Sequence, residues 1–370
     1  MFKTLVEVIT LVASFLIQHC LYGKCLPAGF YPRRILVIKL DHLGDVLLAT
    51  PVFSNLRRAY PLAQIHGLVG ELGEISLRNH PDVDKILRYN ARFFRRSGGP
   101  KSQDRVLNVL SLLRGQKYDL VVNLRGDWVT ALFALMRPTR YRLDYAWLQV
   151  ANKLGLARFS GLHQLERNLD LLRVADIPTP CKLSTLHTSS EDKRWADGFL
   201  READIPPDRP IIIIHPGSPI SLKRWQTERF AAVADWLIEQ KNAQIFYVGT
   251  ADEVDIISTV QNQMCKDSIN LAGKTSVSQL AELLKRCHLF LGNDSGPMHV
   301  AAAVGVRTIG LYGPGNPARF GPMGANCRAI RRQPHCPPCM GTVCKFGGEG
   351  CMNNIQTEDV IETIQAIYAI

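Results

Sequence analysis

Residues 287–303 read CHLFLGNDSGPMHVAAA, and this stretch decides the fold of the chain. Its apolar start predicts a short buried strand, and the turn residues after Leu291 lead into a helical pattern. Pro297 suits the start of that helix, where a missing N–H costs little. The free amides and positive dipole end of such a helix form a pocket for a phosphate. An ordinary strand–turn–helix fits the same local pattern. The other segments must therefore decide whether this turn binds phosphate.

A second segment suited to phosphate lies upstream, at residues 211–225, IIIIHPGSPISLKRW. Four consecutive isoleucines bounded by prolines indicate a buried parallel strand. Ligands of open α/β sheets bind outside the carboxyl ends of such strands. We therefore expect Ser218 at the ligand edge, with Lys223 on the loop beside it. His215 is interpreted as a residue of the fold, and Trp225 as a packing residue that fixes the Lys223 loop.

The N-terminal half contains a similar unit at residues 34–56, RILVIKLDHLGDVLLATPVFSNL. An apolar strand runs into a turn with one glycine and then into a helical pattern, which places Asp45 at the carboxyl edge of a sheet. An aspartate at the N-cap of the helix is an alternative interpretation of Asp45. Pro51 within the helical pattern predicts a late helix start or a kink.

Taken together, these segments resemble glycosyltransferase family 9, the heptosyltransferases of lipopolysaccharide core assembly. The resemblance extends from about Arg33 to the C-terminus and has three ordered motifs: residues 35–51, residues 215–218 with 223–225, and residues 293–299 continuing to 313–314. It implies an α/β fold of two facing Rossmann-like domains, of the GT-B type. It also implies that the nucleotide-sugar donor binds the C-terminal domain and the acceptor binds the N-terminal one.

The alternation of strands and helical patterns independently favours a parallel α/β architecture, and 370 residues suffice for two cores. We expect four parts: an amphipathic helix over 1–30, an acceptor domain over 33–185, a donor domain over 186–350 with a Cys-rich segment at 327–351, and a C-terminal helix over 355–370. The resemblance implies that the last helix packs back onto the N-terminal domain.

The expected reaction is direct displacement with inversion, which requires neither an obligatory metal nor a cofactor. Asp45 would be the general base on the acceptor hydroxyl, and Lys223 would stabilise the leaving nucleoside diphosphate. The expected donor-binding residues are Ser218, Lys223, Asp294, Ser295, Gly296 and His299. Lys39 and Arg125 are expected to bind the acceptor. The resemblance makes ADP-heptose and a lipopolysaccharide-core acceptor the leading pair of substrates.

Positive charge is confined to the N-terminal half of the chain. Residues 1–185 hold 26 Lys and Arg against 14 Asp and Glu, a net charge of +12, whereas the remainder holds 18 against 19. The densest part is the segment 88–105, which carries six basic residues and Phe93–Phe94. Nucleic acid is a rival partner for such a segment. We rank an anionic membrane surface or an acidic glycolipid acceptor first and expect no nucleic-acid partner, because the other motifs concern sugar transfer.

The segment 1–30 has a largely apolar helical pattern with one narrow polar stripe. No Lys, Arg, Asp or Glu occurs between Val8 and Gly23. This uncharged run is shorter than the roughly 20 residues that a bilayer span needs, and no small-residue cleavage site follows. We predict a cytoplasmic protein bound peripherally to the inner face of the cytoplasmic membrane by this helix. Packing of the helix on the protein itself is the alternative.

Five cysteines cluster between 327 and 351, and four of them are weak candidates for metal ligands: Cys336, Cys339, Cys344 and Cys351. The first pair has the two-residue spacing that is common in zinc sites, but the second pair is separated by six residues. Bound metal, disulfides and free thiols all remain possible.

Two other classes of function compete with sugar transfer. A Rossmann-type oxidoreductase or isomerase is one, but the first-strand turn offers only Gly44 in place of the G-x-G-x-x-G fingerprint. A non-catalytic, membrane-associated protein that binds sugar nucleotides is the other. The joint presence of Asp45, Lys223 and the segment 294–299 argues against it.

Overall fold

The computed structural model describes residues 26–90, 113, 115–127, 130, 139, 141–153, 159, 161–332, 336–337, 339, 341, 343–344 and 350–368. Most of the predicted N-terminal helix and most of the basic segment 88–105 lie outside these residues. The chain divides into two compact units, Met1–His187 and Thr188–Ile370.

The first unit is built on one parallel five-stranded sheet with the strand order β3-β2-β1-β4-β5. Its described elements are β1 (Arg34–Lys39), α1 (Leu43–Leu47), α2 (Thr50–Ala59), β2 (Gln64–Val69), α3 (Glu71–Leu77), β3 (Lys85–Arg88), β4 (Leu120–Asn123), β5 (Tyr141–Asp144), α4 (Tyr145–Lys153) and α5 (Gln164–Arg173). The strand order reverses direction between β1 and β4. The carboxyl ends of these two strands therefore form the switch point at which such sheets bind ligands.

The helical pattern after β1 is divided into two helices. Pro51 lies in the first turn of α2, where its missing N–H is tolerated, and the Thr50 hydroxyl donates to the Leu47 carbonyl at 2.8 Å. A helix therefore begins at Thr50, next to Pro51, but a separate short helix precedes it, so Asp45 lies in a helix and not in a loop. The short helix α1 is left to carry Asp45.

The second unit contains a parallel six-stranded sheet with the order β11-β10-β9-β6-β7-β8. Its described elements are α6 (Ser190–Glu202), β6 (Ile211–His215), α7 (Thr227–Lys241), β7 (Gln244–Tyr247), α8 (Val254–Gln263), β8 (Ile269–Asn270), α9 (Val277–Leu284), β9 (Leu289–Asn293), α10 (Gly296–Val304), β10 (Thr308–Leu311), α11 (Pro317–Phe320), β11 (Cys327–Ile330) and α12 (Thr357–Tyr368). Here the strand order reverses between β6 and β9. Both strands predicted to carry phosphate-binding turns therefore lie side by side at the switch point.

Burial explains why the isoleucine run forms the centre of this sheet. Ile212, Ile213 and Ile214 are fully buried and lie in register with β9 on one side and β7 on the other. A strand covered on both faces needs an apolar run rather than alternation. The helix α10 that follows β9 ends at Gly305, whose positive φ of 84° is accessible to glycine without strain.

The C-terminal helix α12 contributes to the core of the second unit. Its buried residues Val360, Ile364 and Ile367 belong to that hydrophobic core, and the helix packs on α7 and β11. The spacing of these three residues creates one apolar stripe, which the second unit covers. The expected packing of this helix on the N-terminal domain stays a prediction.

Among the helices that the structure describes, none is both long and apolar enough to cross a bilayer.

Candidate active site

A charged cluster occupies the switch point of the first sheet. The Lys39 ammonium lies 3.0 Å from the Asp41 carboxylate and donates to the Leu124 carbonyl at 3.3 Å. The Arg125 guanidinium donates to the other Asp41 oxygen and to the Leu40 carbonyl. Burial raises the pKa of the Asp41 carboxyl, but Lys39 and Arg125 outweigh burial and hold that pKa below its usual value. Asp41 is thus an ionised carboxylate that pairs with both residues predicted to bind the acceptor, and Asp127 supplies a second negative charge to Arg125.

Asp45 follows Asp41 in the chain and lies in the first turn of α1, at the third helical position. Its residue is partly exposed, and among the described residues its carboxylate forms no hydrogen bond or ion pair. The N-cap residue of α1 is His42. The interpretation of Asp45 as an N-cap is therefore wrong, and its lone pairs remain available to a ligand.

A buried carboxyl group supports the Arg125 loop from β5. Asn123 donates to Asp144 at 3.0 Å, and Asp127 accepts from Arg125 at 2.5 Å. Asp144 also accepts from the Ala146 amide at 2.9 Å, and burial raises its pKa to about 6. A carboxyl group on β5 thus holds the Asn123 side chain at the end of β4. Sequence reasoning missed Asp144 because its partner Asn123 lies on a different strand and not in the same local motif.

In the second unit, the loop after β6 brings Lys223 to the end of β9. The Lys223 ammonium donates to the Asp294 carboxylate at 2.5 Å, and both residues are more than nine-tenths buried. Asp294 directly precedes Ser295, the N-cap residue of α10. The positive charge of Lys223 therefore lies close to the helix N-terminus, as the sequence predicted for a phosphate pocket.

The Asn293 side chain at the end of β9 fixes this loop. Its amide donates to the carbonyls of Pro216 and Gly217 at 2.8 and 3.3 Å, and its oxygen accepts from the Trp225 amide at 3.1 Å. The Trp225 indole is buried and donates to the Ile355 carbonyl at 2.9 Å. The predicted packing role of Trp225 is confirmed, because these bonds hold both ends of the loop that carries Lys223.

The remaining residues predicted for the donor lie at the same edge. Ser218 is buried, and its hydroxyl accepts from the Ile220 amide at 3.3 Å. Gly296 opens α10, and His299 is 9% exposed in the same helix. The second unit therefore collects every residue that was predicted to bind the donor at one switch point.

Glu253 is a residue of this site that sequence reasoning missed. One of its carboxylate oxygens, Oε2, accepts from the Thr250 amide at 2.9 Å and lies 3.2 Å from His215 Nε2. Burial raises the pKa of Glu253, but the bonds to His215 and Thr250 outweigh burial and lower it to about 2. Its capping box with Thr250 was a readable local signal. Its contact with His215 could not be inferred from the local sequence, because His215 ends a strand far earlier in the chain.

Gly217 has no room for a side chain, since an added Cβ would overlap the Glu253 carboxylate. Because Thr250 and His215 fix that carboxylate, we expect Gly217→Ala to destabilise the protein by about 1–3 kcal/mol. The measurement is urea denaturation. Gly198 in α6 is the matched control, since no atom lies within 4 Å of its added Cβ. Gly198→Ala should be neutral or stabilise by about 0.4–1 kcal/mol. Equal stability of the two variants would show that the Glu253 carboxylate can move away from the added methyl group, and would contradict this prediction.

Among the described residues, the four candidate metal ligands Cys336, Cys339, Cys344 and Cys351 form no disulfide. Burial, together with the neighbouring Cys336 and Cys339, raises the pKa of the Cys351 thiol. In the described part of the chain, no group of three or more His, Cys, Asp or Glu is arranged to hold a metal ion.

Comparison with known proteins identifies the family. Residues 106–349 match the model of glycosyltransferase family 9 (heptosyltransferase). Lipopolysaccharide heptosyltransferase 3 of Escherichia coli K12 is 32% identical over 282 residues, which cover 73% of this chain and 79% of the relative. A crystal structure of a family 9 glycosyltransferase from Veillonella parvula DSM 2008 superposes with a TM-score of 0.76 at 25% identity, covering 91% and 97% of the two chains.

The structure of ADP-heptose lps heptosyltransferase II of E. coli shares the fold, with a TM-score of 0.68 at 24% identity and coverage of 91% and 98%. The two parallel α/β units agree with a family model that covers most of the chain and with the relative from E. coli K12. The chain belongs to glycosyltransferase family 9, the heptosyltransferase family.

Proposed function

We propose that the protein is an inverting glycosyltransferase that transfers heptose from ADP-heptose to a lipopolysaccharide-core acceptor. One observation carries the proposal: the second sheet's switch point joins the Lys223–Asp294 pair to the N-terminus of α10. This combination suits the diphosphate of a nucleotide sugar. The heptose and the adenine base of the donor are proposed from the relatives, which are heptosyltransferases and include one named for ADP-heptose.

The leaving group determines what the second unit must supply. When the bond between the anomeric carbon and the phosphate oxygen breaks, negative charge develops on the nucleoside diphosphate. The Lys223 ammonium and the amides at the start of α10 would donate hydrogen bonds to this charge, and Ser218 would orient the phosphates. Because these groups provide positive charge, we propose a transfer that needs no obligatory metal.

The attacking group determines what the first unit must supply. The acceptor hydroxyl forms the new bond to the anomeric carbon from the opposite face, and its proton passes to Asp45. A general base needs a lone pair that no protein donor occupies, and Asp45 has this property among the described residues. Lys39 and Arg125 are proposed to bind the acceptor. Since Asp41 pairs with both of them, an anionic acceptor group must compete with that carboxylate.

The decisive test is transfer with purified protein. We expect release of ADP from ADP-heptose and an increase of one heptose in the mass of a truncated lipopolysaccharide core. Thermal unfolding with a panel of nucleotide sugars tests the donor separately, because a ligand that binds only the folded state raises the unfolding temperature. A larger shift with uridine or guanosine diphosphate sugars than with ADP-heptose would overturn the proposed donor. Hydride transfer to a nicotinamide would overturn the class of reaction.

We further propose that the full chain binds the inner face of the cytoplasmic membrane through residues 1–25 and the basic first half. The apolar run from Val8 to Gly23 and the net charge of +12 over residues 1–185 support this. We expect the protein to float with vesicles that contain anionic lipid, and binding to weaken as salt rises. Deletion of residues 1–25 should abolish flotation. Full recovery of the intact chain in the soluble fraction at low salt would contradict this proposal.

A further inference from the structure

Three side chains form a hydrogen-bonded line behind the N-terminus of α10. His215, at the end of β6, is 2% exposed and lies between the other two. Its Nε2 is 3.2 Å from Glu253 Oε2, and its Nδ1 is 3.0 Å from Ser295 Oγ. Glu253 is itself fixed by the Thr250 amide. The imidazole therefore has one firmly held partner and one partner at the proposed diphosphate pocket.

Ser295 occupies the N-cap of α10 without capping it. A serine at this position usually accepts from the second or third amide of the helix. Here the second residue is Pro297, which has no N–H, so only the Met298 amide could be capped. The Ser295 side chain makes no such bond. Its hydroxyl instead donates to the Asn293 carbonyl at 3.0 Å and contacts His215.

The N-terminus of α10 is left open as a result. Within the described part of the chain, the amides of Gly296 and Met298 have no hydrogen-bond acceptor. Unpaired amides at a helix start bind an anion through hydrogen bonds and the helix dipole. A capping serine would compete with the anion for the Met298 amide. The orientation of the Ser295 hydroxyl therefore controls whether this amide is available.

We propose that His215 is a positioning residue that holds the Ser295 hydroxyl away from the Met298 amide, so that α10 stays open to the donor diphosphate. The inference rests on the proposed function of this unit as the donor site. The inference concerns the position of the Ser295 hydroxyl oxygen, which lies 3.0 Å from both His215 Nδ1 and the Asn293 carbonyl. Glu253 positions His215 from the opposite side.

The proposal predicts that a second substitution, Ser295→Ala, partly restores the ADP affinity that His215→Ala lowers. His215→Ala leaves the Asn293 carbonyl as the one remaining hydrogen-bond partner of the Ser295 hydroxyl among the described residues, so we expect the hydroxyl to rotate and cap α10 in part of the molecules, where the diphosphate must displace it. The usual strength of a serine cap corresponds to roughly 2- to 30-fold weaker binding of ADP. Removing the hydroxyl as well, in His215→Ala/Ser295→Ala, eliminates this competitor. We therefore expect the double variant to bind ADP more tightly than His215→Ala does.

Calorimetric titration of the full-length wild type and these variants with ADP, inorganic pyrophosphate and adenosine tests the inference. The affinity for pyrophosphate should change between the wild type and the variants in the same order as the affinity for ADP. Adenosine, which has no phosphate, should bind all the proteins equally. If alanine prevents folding, His215→Asn replaces it, because its shorter side chain cannot span both partners. A role confined to the fold would make the double variant bind ADP no better than the single one, and that result overturns the inference.

The same titration separates this inference from the proposed function. If wild-type protein binds ADP or pyrophosphate but the second substitution restores nothing, the donor site stands and the role of His215 fails. If wild-type protein binds neither probe, both proposals fail. A gain in affinity on adding Ser295→Ala to His215→Ala supports the positioning role in particular, because loss of packing cannot be repaired by removing a further side chain.

Discussion

Replacing Asp45 by Asn should lower the turnover of sugar transfer by roughly 10²–10⁴ while leaving ADP affinity almost unchanged. Asparagine has nearly the same size as aspartate but cannot accept the proton of the acceptor hydroxyl. Donor binding is proposed to depend on residues of the second unit, so the loss should appear in turnover rather than in nucleotide affinity. Single-turnover transfer assays and ADP titration of the same preparation measure the two quantities.

Asp119 offers a matched control for the loss of one carboxylate from the same sheet. It lies at the opposite edge, where its oxygen accepts from the Arg33 and Arg34 amides at 2.8 and 3.0 Å. Asp119→Asn retains an acceptor at this position and should keep normal turnover. If Asp45→Asn is as active as Asp119→Asn, Asp45 is not the general base.

The parts of the site that could be predicted from sequence are those with local causes. A fully apolar run such as Ile211–Ile214 can only be a strand covered on both faces, and a turn with Ser295 and Pro297 starts a helix. Because both strands are parallel, their following turns had to meet at one edge of the sheet. This topological rule predicts from the sequence alone that Lys223 lies beside α10.

The parts that could not be predicted depend on partners distant in the chain. Asp41 follows β1, and nothing in its neighbourhood shows that Arg125, much later in the chain, would neutralise it. The same holds for Asp144 with Asn123 and for Glu253 with His215. Local pattern indicates that a polar residue lies at a strand end, but its protonation depends on the charges that tertiary packing brings within hydrogen-bonding distance.

These distant partners change how the acceptor site should be understood. Lys39 and Arg125 are predicted to bind the acceptor, but both of them pair with Asp41, and Arg125 also pairs with Asp127. Together with Asp127, which pairs with Arg125, the cluster contains two cations and two carboxylates, so it presents little net charge. The strongly basic segment near residues 88–105, which lies mostly outside the described residues, is then the better candidate for attracting an acidic acceptor.

Lys223→Met should both slow transfer and weaken nucleotide binding. Methionine keeps most of the aliphatic stem of lysine but removes the charge that faces the leaving diphosphate. Loss of one stabilising donor typically lowers turnover by about 10²–10³. A hydrogen bond to a charged group contributes about 1.5–3 kcal/mol, which corresponds to roughly 10- to 150-fold weaker ADP binding. Transfer assays and calorimetric titration with ADP measure these effects.

Stability must be separated from catalysis here, because Lys223 also neutralises the buried Asp294 carboxylate. Removing one member of a buried pair typically costs about 3–5 kcal/mol of unfolding free energy. The double variant Lys223→Met/Asp294→Asn removes both charges and should regain most of that stability, as urea denaturation will show. Its turnover should nevertheless stay low, since the ammonium group proposed to stabilise the departing diphosphate is absent. Recovery of turnover together with stability in the double variant would mean that Lys223 serves the fold and not the reaction.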